Sequence, residues 1–438
     1  MKLATFVHFS FISAGMHNMV QDVVLLQKRE IEQRLRERYV QREVGAHRCS
    51  HDLINVVMGP RRAGKSFFAM HLVQGLGRFG YVNFDDERLT RLQDYDALVA
   101  AVDSLYEKPQ HLLLDEVQNL PQWELFVNRL QRQGLRLTIT GSNAHLLSSE
   151  LATHLTGRHV QIVLFPFSFS EYLSSLDHEL TAHEKREALR SYAETGGYPE
   201  PLLKGLAHRD YLTTLLRSIL YKDIVVRHRI RSPQGLEDLT TCLMSNVTQE
   251  CSFTRLAQVT RFHSVHTVEK YLRHLEEAFL FFSVRRFSFK VREQVRSNRK
   301  VYCTDNGLVT SSSFRFSADL GKLYENLVAI ALQRRRLSGE LDFYFWKGPR
   351  NEEVDFVIKR DLRVAQLIQV SADVRDPKTW DREVRSLLKA SAELRCADLL
   401  VLTENEEREE DVSWYGTQGR VRCVPLWKWL VASDEYLV

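Results

Sequence analysis

The chain has 438 residues, a formal net charge of +4, and 44% hydrophobic and 26% charged residues, a composition typical of a globular protein with roughly two to four domains. No run reaches the roughly 18 apolar residues of a membrane span, and so mild a positive charge does not by itself indicate a nucleic-acid partner. The six cysteines lack the spacing of a disulfide framework or a zinc site, so we expect reduced thiols in a cytoplasmic protein without a membrane partner.

Residues 1–45 are predicted to form an N-terminal helical segment. The stretch 1–16 resembles a weak signal peptide, but His8 and two serines interrupt its apolar run and no small-residue cleavage site follows, which argues against that interpretation. Translation from a later methionine is an alternative explanation. From residue 20 to 44, apolar residues recur at helical spacing among Arg, Glu and Gln, which predicts an amphipathic helix laid against the next domain.

A phosphate-binding loop follows the first predicted strand, 52–58. Residues 59–66 read Gly-Pro-Arg-Arg-Ala-Gly-Lys-Ser, and the two glycines let successive backbone N–H groups point inward at the start of a helix. We expect Lys65 to reach the β- and γ-phosphates of ATP and the Ser66 hydroxyl to take one coordination position on Mg²⁺. The alternative is a chance match, because the pattern fixes only a few positions. The predicted nucleotide-binding residues of this loop are Gly59, Pro60, Arg61, Arg62, Ala63, Gly64, Lys65, Ser66 and Phe67.

Two adjacent acids end the aliphatic strand predicted at 111–115. We expect Asp115 to hold Mg²⁺ through water and Glu116 to orient and deprotonate the water that attacks the γ-phosphate. The alternative is a buried strand followed by a solvated acidic turn, which is the weaker interpretation beside a phosphate-binding loop.

A further predicted strand, 136–140, ends in Gly141, Ser142 and Asn143. This pattern would place the small polar side chain of Ser142 where a γ-phosphate or the lytic water can be sensed. Alternatively, Ser142 or Asn143 caps the helix that follows.

Strands and helices alternate between residues 52 and 165, which predicts a parallel sheet covered by helices on both faces and therefore an α/β fold. Residues 46–205 are predicted to form this domain together with a helical lid. The predicted strands are 52–58, 80–84, 111–115, 135–140 and 159–165, and the predicted helices are 65–76, 93–106, 123–133 and 144–155.

Residues 206–305 are predicted to form a mainly helical domain. Segments 253–261 and 265–282 have the length and apolar spacing of a helix-turn-helix, and the strand-like basic segment that follows, residues 285–300, fits a winged helix. Phe287 and Phe289 are expected to face the core while the arginines face outward towards phosphate. The alternative is a solvated basic hairpin or a contact with another subunit. The residues expected to contact nucleic acid are Arg285, Arg286, Lys290 and Arg292, and the basic segment also contains Arg296, Arg299 and Lys300.

The last part of the chain, residues 306–438, returns to mixed α/β character. The acidic run 404–411 is expected to be an exposed loop. The predicted helices are 321–336 and 380–392, and the predicted strands are 341–346, 353–359, 363–370 and 398–403.

These features resemble a widespread group of prokaryotic ATPases in which an AAA+-like domain precedes a winged-helix segment and a C-terminal domain related to PD-(D/E)XK nucleases. The loop and the acid pair are common to many NTPases, whereas Phe-Pro-Phe-Ser at 165–168 and Gly-Gly-Tyr-Pro-Glu at 196–200 are more particular. The resemblance implies that Arg158 stabilises charge on a triphosphate, in the same chain or across an oligomer; alternatively, Arg158 is a surface residue that begins a strand. It also implies that Gly196 and Gly197 form a turn joining the nucleotide core to its lid. The stretches that carry the resemblance are 59–66, 114–116, 140–142, 156–158, 164–171, 196–200 and 221–224.

The same resemblance implies a second, degenerate site near the C-terminus. PD-(D/E)XK nucleases hold Mg²⁺ with a helix glutamate, a strand aspartate and a Glu/Gln-x-Lys motif, and Glu325, Asp355 and Gln369 match these positions. The lysine has become Ser371, and loss of its charge argues against metal-dependent cleavage. We therefore expect a retained fold without nuclease activity, and a migrated lysine such as Lys359 is the alternative.

Two functions follow from these patterns. The first is an ATPase, with ATP and Mg²⁺ as cofactors, that couples nucleotide turnover to binding or remodelling of duplex or branched DNA. The alternative is a regulatory ATPase switch that acts through protein partners, for example in defence or toxin control. A homo-oligomer is compatible with both. A small-molecule kinase is disfavoured because the chain has no visible acceptor-binding signature.

Overall fold

The chain forms two compact units, Met1–Leu164 and Phe165–Val438. The first is built on a parallel sheet, and the second combines a helical region with two further sheets, so the fold is α/β. The computed structural model describes residues 2–44, 49, 50, 52–141, 155, 157–176, 178–312 and 319–437, with side chains described from residue 18 onward.

A five-stranded sheet forms the centre of the first unit. Its strands are β1 (Ile54–Met58), β2 (Phe79–Asn83), β3 (His111–Asp115), β4 (Arg136–Gly141) and β5 (His159–Val163). All neighbours pair in parallel, in the order β2-β3-β4-β1-β5. The strands β1 and β3 are buried along their whole length, as expected when helices cover both faces of a parallel sheet. Because β4 lies between β1 and β3, the segments that follow these three strands meet at one edge of the sheet.

Helices connect β1 to β2, β2 to β3 and β3 to β4, as the alternation predicted. The helices of this region are α2 (Lys65–Gln74), α3 (Tyr95–Leu105) and α4 (Trp123–Arg132). The start of α3 is fixed by Asp94, whose carboxylate accepts hydrogen bonds from the backbone N–H groups of Asp96 and Ala97. The apolar side of α2 packs with β1 and β3 in one buried cluster, so the helix that begins at the loop is held firmly against the sheet.

The N-terminal helix, α1 (Lys2–Arg34), packs against the same unit. The Gln27 side chain donates to the Asn83 carbonyl at 2.9 Å, and the Lys28 ammonium donates to the Leu105 carbonyl at 2.7 Å. The predicted helix is therefore confirmed, although it ends at Arg34 instead of continuing to residue 44. No helix among the described residues is long and apolar enough to cross a membrane. Among the described side chains of this helix, from residue 18 onward, the buried apolar residues are Val20, Val23, Val24 and Ile31.

The second unit begins with helices. They are α5 (Phe169–Ser174), α6 (Ala182–Thr195), α7 (Pro199–Lys204) and α8 (His208–Ser218), then a π-helical stretch (Ile219–Val226) and α9 (Pro233–Ser245). Capping boxes start α5 and α6, with Ser168 and Thr181 as the capping residues.

The predicted turn at Gly196 and Gly197 joins α6 to α7 inside the second unit, instead of joining the nucleotide core to a lid. Gly196 has φ +75°, and a Cβ there would lie 2.1 Å from the Asp305 carboxylate, so a larger residue does not fit. The Gly197 N–H donates to that buried carboxylate at 2.7 Å. The two glycines therefore allow the turn between α6 and α7 to pack closely against Asp305.

A three-stranded antiparallel sheet follows, interleaved with helices. Its elements in chain order are β6 (Glu250–Cys251), α10 (Phe253–Val259), α11 (Val265–Glu277), β7 (Phe281–Arg285), α12 (Val291–Arg296) and β8 (Arg299–Cys303), and the strand order is β6-β8-β7. The two predicted helices are confirmed. The second ends at Glu277, because the apolar residues after it enter a buried strand and not a further helical turn.

Within the basic segment, the two phenylalanines behave differently. Phe287 is buried and packs in the C-terminal core with Trp346, whereas Phe289 is 73% exposed. The expectation that both face the core is wrong, because strand β7 ends at Arg285 and the strict alternation of a strand ends with it.

A six-stranded mixed sheet forms the C-terminal part, in the order β13-β14-β12-β11-β10-β9. Its strands are β9 (Asp342–Lys347), β10 (Glu353–Arg360), β11 (Arg363–Val370), β12 (Leu399–Thr403), β13 (Arg408–Trp414) and β14 (Thr417–Pro425). The helices of this part are α13 (Asn306–Ser312), α14 (Leu320–Leu337), α15 (Pro377–Leu394), α16 (Leu426–Val431) and α17 (Ser433–Tyr436).

The acidic run 404–411 is not wholly a loop. Its last residues begin β13, an edge strand that pairs antiparallel with β14. Asp411 accepts a hydrogen bond from Arg420 of β14 at 2.9 Å. Charged side chains are common on edge strands because they discourage pairing with another chain, and this is why the composition concealed a strand.

Candidate functional site

The loop after β1 has a backbone that only glycine permits at two positions. Gly59 has φ +146°, and a Cβ there would lie 2.0 Å from the Leu164 carbonyl oxygen. Gly64 has φ +92° and immediately precedes α2. The loop therefore turns tightly against the chain after β5 and delivers the N-terminus of a helix to the carboxyl edge of the sheet.

Lys65 and the loop carbonyls are held in place by specific contacts. Lys65 is 5% exposed, and its ammonium donates to the Pro60 carbonyl at 2.9 Å, across the mouth of the loop. Buried Arg42 donates to the Ala63 carbonyl at 3.0 Å. Arg42 was not predicted from the sequence, because one arginine in a polar helical segment carries no local signal of such a contact.

Ser66 and Asp115 meet as the two motifs predicted. The Ser66 hydroxyl donates to Asp115 Oδ1 at 2.9 Å, although the residues are 49 positions apart. Thr140 and Tyr81, which the sequence did not single out as site residues, also donate to this carboxylate, Tyr81 to Oδ2 at 3.1 Å. Burial raises the pKa of Asp115, and the neighbouring Glu116 charge raises it further, while the three hydroxyl groups lower it.

Glu116 follows β3 in a left-handed backbone conformation, with φ +52°. Its N–H donates to the Thr140 hydroxyl at 3.0 Å, and its half-buried carboxylate accepts from the Gln118 amide. A left-handed non-glycine residue costs free energy, so its presence marks a side chain that the surroundings hold in one direction. The hydroxyl of Thr140 thus connects the two acids.

The donor set at this edge fits Mg²⁺. A hydroxyl and a carboxylate, Ser66 and Asp115, lie adjacent at the start of α2, and hard oxygen ligands are the ones Mg²⁺ prefers. The helix N-terminus beside them favours phosphate. These residues can therefore hold a metal-bound triphosphate.

Arg158 lies at the other edge of the sheet. Its carbonyl accepts a hydrogen bond at 3.0 Å from Ile54, the first residue of β1, while the loop follows the last residue, Met58. Four steps of extended strand, about 13 Å, separate the two ends, so the structure does not bring Arg158 to the loop within one chain. The predicted sensor Ser142, together with Asn143 and the helix from 144, lies outside the described residues.

The predicted nucleic-acid residues do not all lie on the surface. Arg285, Lys290 and Arg292 are exposed, and Lys290 also pairs with Glu293 at 3.1 Å. Arg286 is half-buried, and its guanidinium donates to the Lys347 carbonyl. The prediction that Arg286 faces outward is wrong. The chain after β7 forms a bridge to β9 at Arg286 and does not remain a free hairpin.

An exposed basic face on α11 was missed. His266, Lys270 and Arg273 are exposed and lie on one side of the helix, at positions i, i+4 and i+7, with Glu269 also exposed. The opposite side of α11 is buried and carries Val268, Leu272 and Leu275. The signal was present in the sequence, since three basic residues at this spacing share a helix face.

The predicted nuclease-like residues come together. Lys300 Nζ contacts Glu325 Oε1 at 2.9 Å and Asp355 Oδ1 at 3.3 Å, and the Gln369 side chain accepts from the Asp355 N–H at 3.2 Å. Lys300, which the sequence places in the basic segment, is 2% exposed. The lysine that contacts these acids is thus Lys300, whereas Lys359 lies four positions along β10 from Asp355.

Family models divide the chain in a way that agrees with this geometry. A model described as an AAA domain matches residues 51–173, which contain the loop, the acid pair and Thr140. Models of two domains of unknown function, DUF8612 and DUF4143, match residues 186–318 and 320–429. The loop and the acid pair therefore lie in a region similar to AAA-type P-loop ATPase domains.

The chain is 30% identical over 395 residues to the uncharacterized protein MJ1544 of Methanocaldococcus jannaschii, a match that covers 86% of this chain and 88% of that protein. It is also 30% identical over 328 residues to an uncharacterized protein of Haemophilus influenzae, over 70% of this chain and 80% of the relative. The chain belongs to the family that contains these two proteins.

Solved structures share parts of this fold at low sequence identity. The Walker-type ATPase PABY2304 of Pyrococcus abyssi is 13% identical with a TM-score of 0.43, over 63% of this chain and 97% of that one. The replication initiator DnaA bound to AMPPCP and single-stranded DNA is 15% identical with a TM-score of 0.28, over 52% of this chain and 83% of that one. Neither similarity bears on a ligand or partner of this chain.

Proposed function

We propose that this protein is a cytoplasmic, Mg²⁺-dependent ATPase that couples ATP turnover to binding or remodelling of DNA. The observation that carries the ATPase assignment is the convergence of the loop 59–66, Asp115, Glu116 and Thr140 at one sheet edge. Bound Mg²⁺ would neutralise phosphate charge and orient the γ-phosphate, with Ser66 as a ligand and Asp115 holding it through water.

The residues divide the hydrolysis between them. Loop N–H groups and the N-terminus of α2 bind the phosphates, and Lys65 exchanges the Pro60 carbonyl for β- and γ-phosphate oxygens. The oxygen of a water molecule attacks the γ-phosphorus while Glu116 accepts a proton from that water. The bond between the γ-phosphorus and the β-phosphate oxygen then breaks, and ADP leaves. Thr140 orients Glu116 through the backbone and Asp115 through the carboxylate. Ser142 is retained as a proposed γ-phosphate sensor.

We assign Arg158 to a triphosphate in a neighbouring subunit. The support is its exposure and its place at the opposite edge of the sheet, which leaves it out of reach of its own loop. This role requires a homo-oligomer. Mixing the two inactive variants Arg158→Ala and Glu116→Gln should restore part of the turnover, because some interfaces would then combine an intact arginine with an intact glutamate. A mixture as inactive as its components would remove this role.

DNA binding is assigned to the second unit. The order helix α9, short strand β6, helices α10 and α11, then strands β7 and β8 with α12 between them supports a winged helix. Exposed Lys270 and Arg273 on α11 and exposed Arg285, Lys290 and Arg292 after it supply positive charge for phosphate. Arg286 is left out because its guanidinium is bound to the Lys347 carbonyl.

A regulatory switch acting through protein partners is the second candidate. The observation that favours it is a group of exposed apolar side chains beside the same basic residues, since such groups often mark protein contacts. The exposed apolar side chains are Phe289, Val291 and Val295, which are 73%, 72% and 52% exposed.

The C-terminal domain is proposed to contribute to assembly or positioning, without phosphodiester cleavage.

The deciding experiment measures Mg²⁺-dependent ATP turnover alone and with single-stranded, duplex, forked and four-way DNA. Stimulation by DNA, with affinity that falls steeply with salt, supports the first function. The double variant Lys270→Glu/Arg285→Glu should lower DNA affinity by about tenfold or more and keep basal turnover. The double variant Lys378→Glu/Arg363→Glu, at exposed residues of α15 and β11, is the charge-matched control. Turnover indifferent to every DNA would favour the switch.

A further inference from the structure

A buried lysine lies among carboxylates in the second unit. The side chain of Lys300, from β8, is 2% exposed, and its Nζ lies 2.6 Å from Glu353 Oε1, 2.9 Å from Glu325 Oε1 and 3.3 Å from Asp355 Oδ1. The acids come from two other elements, α14 and β10. Three carboxylate oxygens therefore converge on one nitrogen atom.

Other donors contact two of the same carboxylates, Glu325 and Asp355. The Tyr302 hydroxyl donates to Glu325 Oε1 at 2.9 Å, and the Val370 N–H donates to Asp355 Oδ2 at 3.0 Å. Both oxygens of Asp355 are thus engaged, one by the ammonium and one by the backbone of β11. Buried carboxylates need such partners, and here the protein supplies them from its own side chains and backbone.

The charges favour a lysine that stays protonated. Burial lowers the pKa of Lys300, but Glu325, Tyr302, Asp355 and Glu353 together raise it well above its usual value. Burial also raises the pKa of Asp355 to about 7, with a further contribution from Glu325. The ammonium therefore offsets part of the negative charge of the three carboxylates.

A divalent metal does not fit this arrangement. Carboxylates around one point are the usual ligands of Mg²⁺, and a nuclease-like domain implies such a metal. In this chain the point on which the oxygens converge holds Lys300 Nζ, and a cation placed there would contact the ammonium directly.

We propose that the Lys300 ammonium is the resident cation of this cluster, in place of a divalent metal, and that it anchors the basic segment to the C-terminal domain. Lys300 ends the basic segment, and at its other end the Phe287 N–H donates to the Phe345 carbonyl of β9 at 2.7 Å. The exposed residues between Phe287 and Lys300 are therefore held at both ends by contacts with the C-terminal domain. This role does not depend on ATP hydrolysis or on DNA as the partner.

Manganese binding to the nucleotide-free protein tests the proposal, with Mn²⁺ followed by electron paramagnetic resonance. Wild type and Asp355→Asn should bind Mn²⁺ equally weakly, and EDTA should leave the thermal midpoint of wild type unchanged. Lys300→Met should gain a site more than about tenfold tighter, because the like charge is removed while the oxygens remain. Lys300→Met/Asp355→Asn should lose that gain.

Tight Mn²⁺ binding by wild type that is lost in Asp355→Asn would overturn the proposal. The ammonium would then accompany a metal, as in a phosphodiester-cleaving site, and not replace it. Absence of any gain in a folded Lys300→Met protein would also overturn it. If Lys300→Met does not fold, the comparison of wild type with Asp355→Asn still decides, because equal weak binding supports the resident ammonium and unequal binding contradicts it.

Discussion

Two buried aspartates, Asp115 of the first unit and Asp355 of the second, accept hydrogen bonds from different kinds of donor. Asp115 accepts from the neutral hydroxyls of Ser66, Thr140 and Tyr81. Asp355 accepts from an ammonium and a backbone N–H. Hydroxyl groups can rotate to share their oxygens with an incoming metal, whereas an ammonium repels one. The hydroxyl donors around Asp115 are therefore compatible with an external cation, and we call this the open site. The ammonium of Lys300 beside Asp355 takes the place of such a cation, and we call this the closed site.

Glu116→Gln should produce the largest effect on chemistry. The amide cannot accept the proton of the attacking water, so ATP turnover should fall by about 10² to 10⁴-fold while ATP binding is kept. Steady-state turnover and calorimetric binding measure the two effects. Glu124→Gln, in the first turn of α4, is the control with the same chemical change. Unchanged turnover in Glu116→Gln would refute the role of this residue.

Lys300→Met tests the closed site through stability. Removing one partner of a buried ion cluster leaves uncompensated charge and should cost about 3–5 kcal/mol of unfolding free energy. Lys290→Met removes an exposed surface pair with Glu293 and should lower the unfolding free energy far less, because solvent screens that pair. Urea unfolding followed by circular dichroism compares the two variants. Equal midpoints would mean that the cluster of Lys300 contributes no more than a surface pair.

Lys65→Ala tests the open site through affinity. Loss of a charge-assisted contact to phosphate should weaken ATP binding by about a hundredfold. Isothermal calorimetry in magnesium buffer measures it, with Lys108→Ala, an exposed lysine of the same unit, as the control. If ATP affinity is retained in Lys65→Ala, Lys65 does not contact the phosphates.

Thr140→Val should have the smallest effect of this series. The loss of one hydroxyl leaves Glu116 and Asp115 in place but less constrained, so turnover should fall by roughly tenfold with little change in ATP affinity. Thr140→Ser keeps the hydroxyl and should recover most of the turnover. A serine variant as slow as the valine variant would show that packing of the methyl group, and not the hydrogen bonds, is what matters.

Local pattern predicted the open site better than the closed one. The glycine spacing and the acids at a strand end are local features, so the loop, Asp115 and Glu116 were found from the sequence. Thr140 and Tyr81 join the site only through the order of strands in the sheet, which local pattern does not give. Lys300 lies in a run of basic residues and reads as a solvent-facing charge, because its partners are at least 25 positions away.

The central claim is that a triphosphate binds at the loop 59–66 with Mg²⁺ held by Ser66 and Asp115. Calorimetric titration of ATP into the purified chain, with and without magnesium, tests it most directly. We predict saturable binding at one site per chain, strengthened by magnesium and weakened about a hundredfold in Lys65→Ala. Absence of any adenine or guanine nucleotide binding in magnesium buffer would contradict the claim.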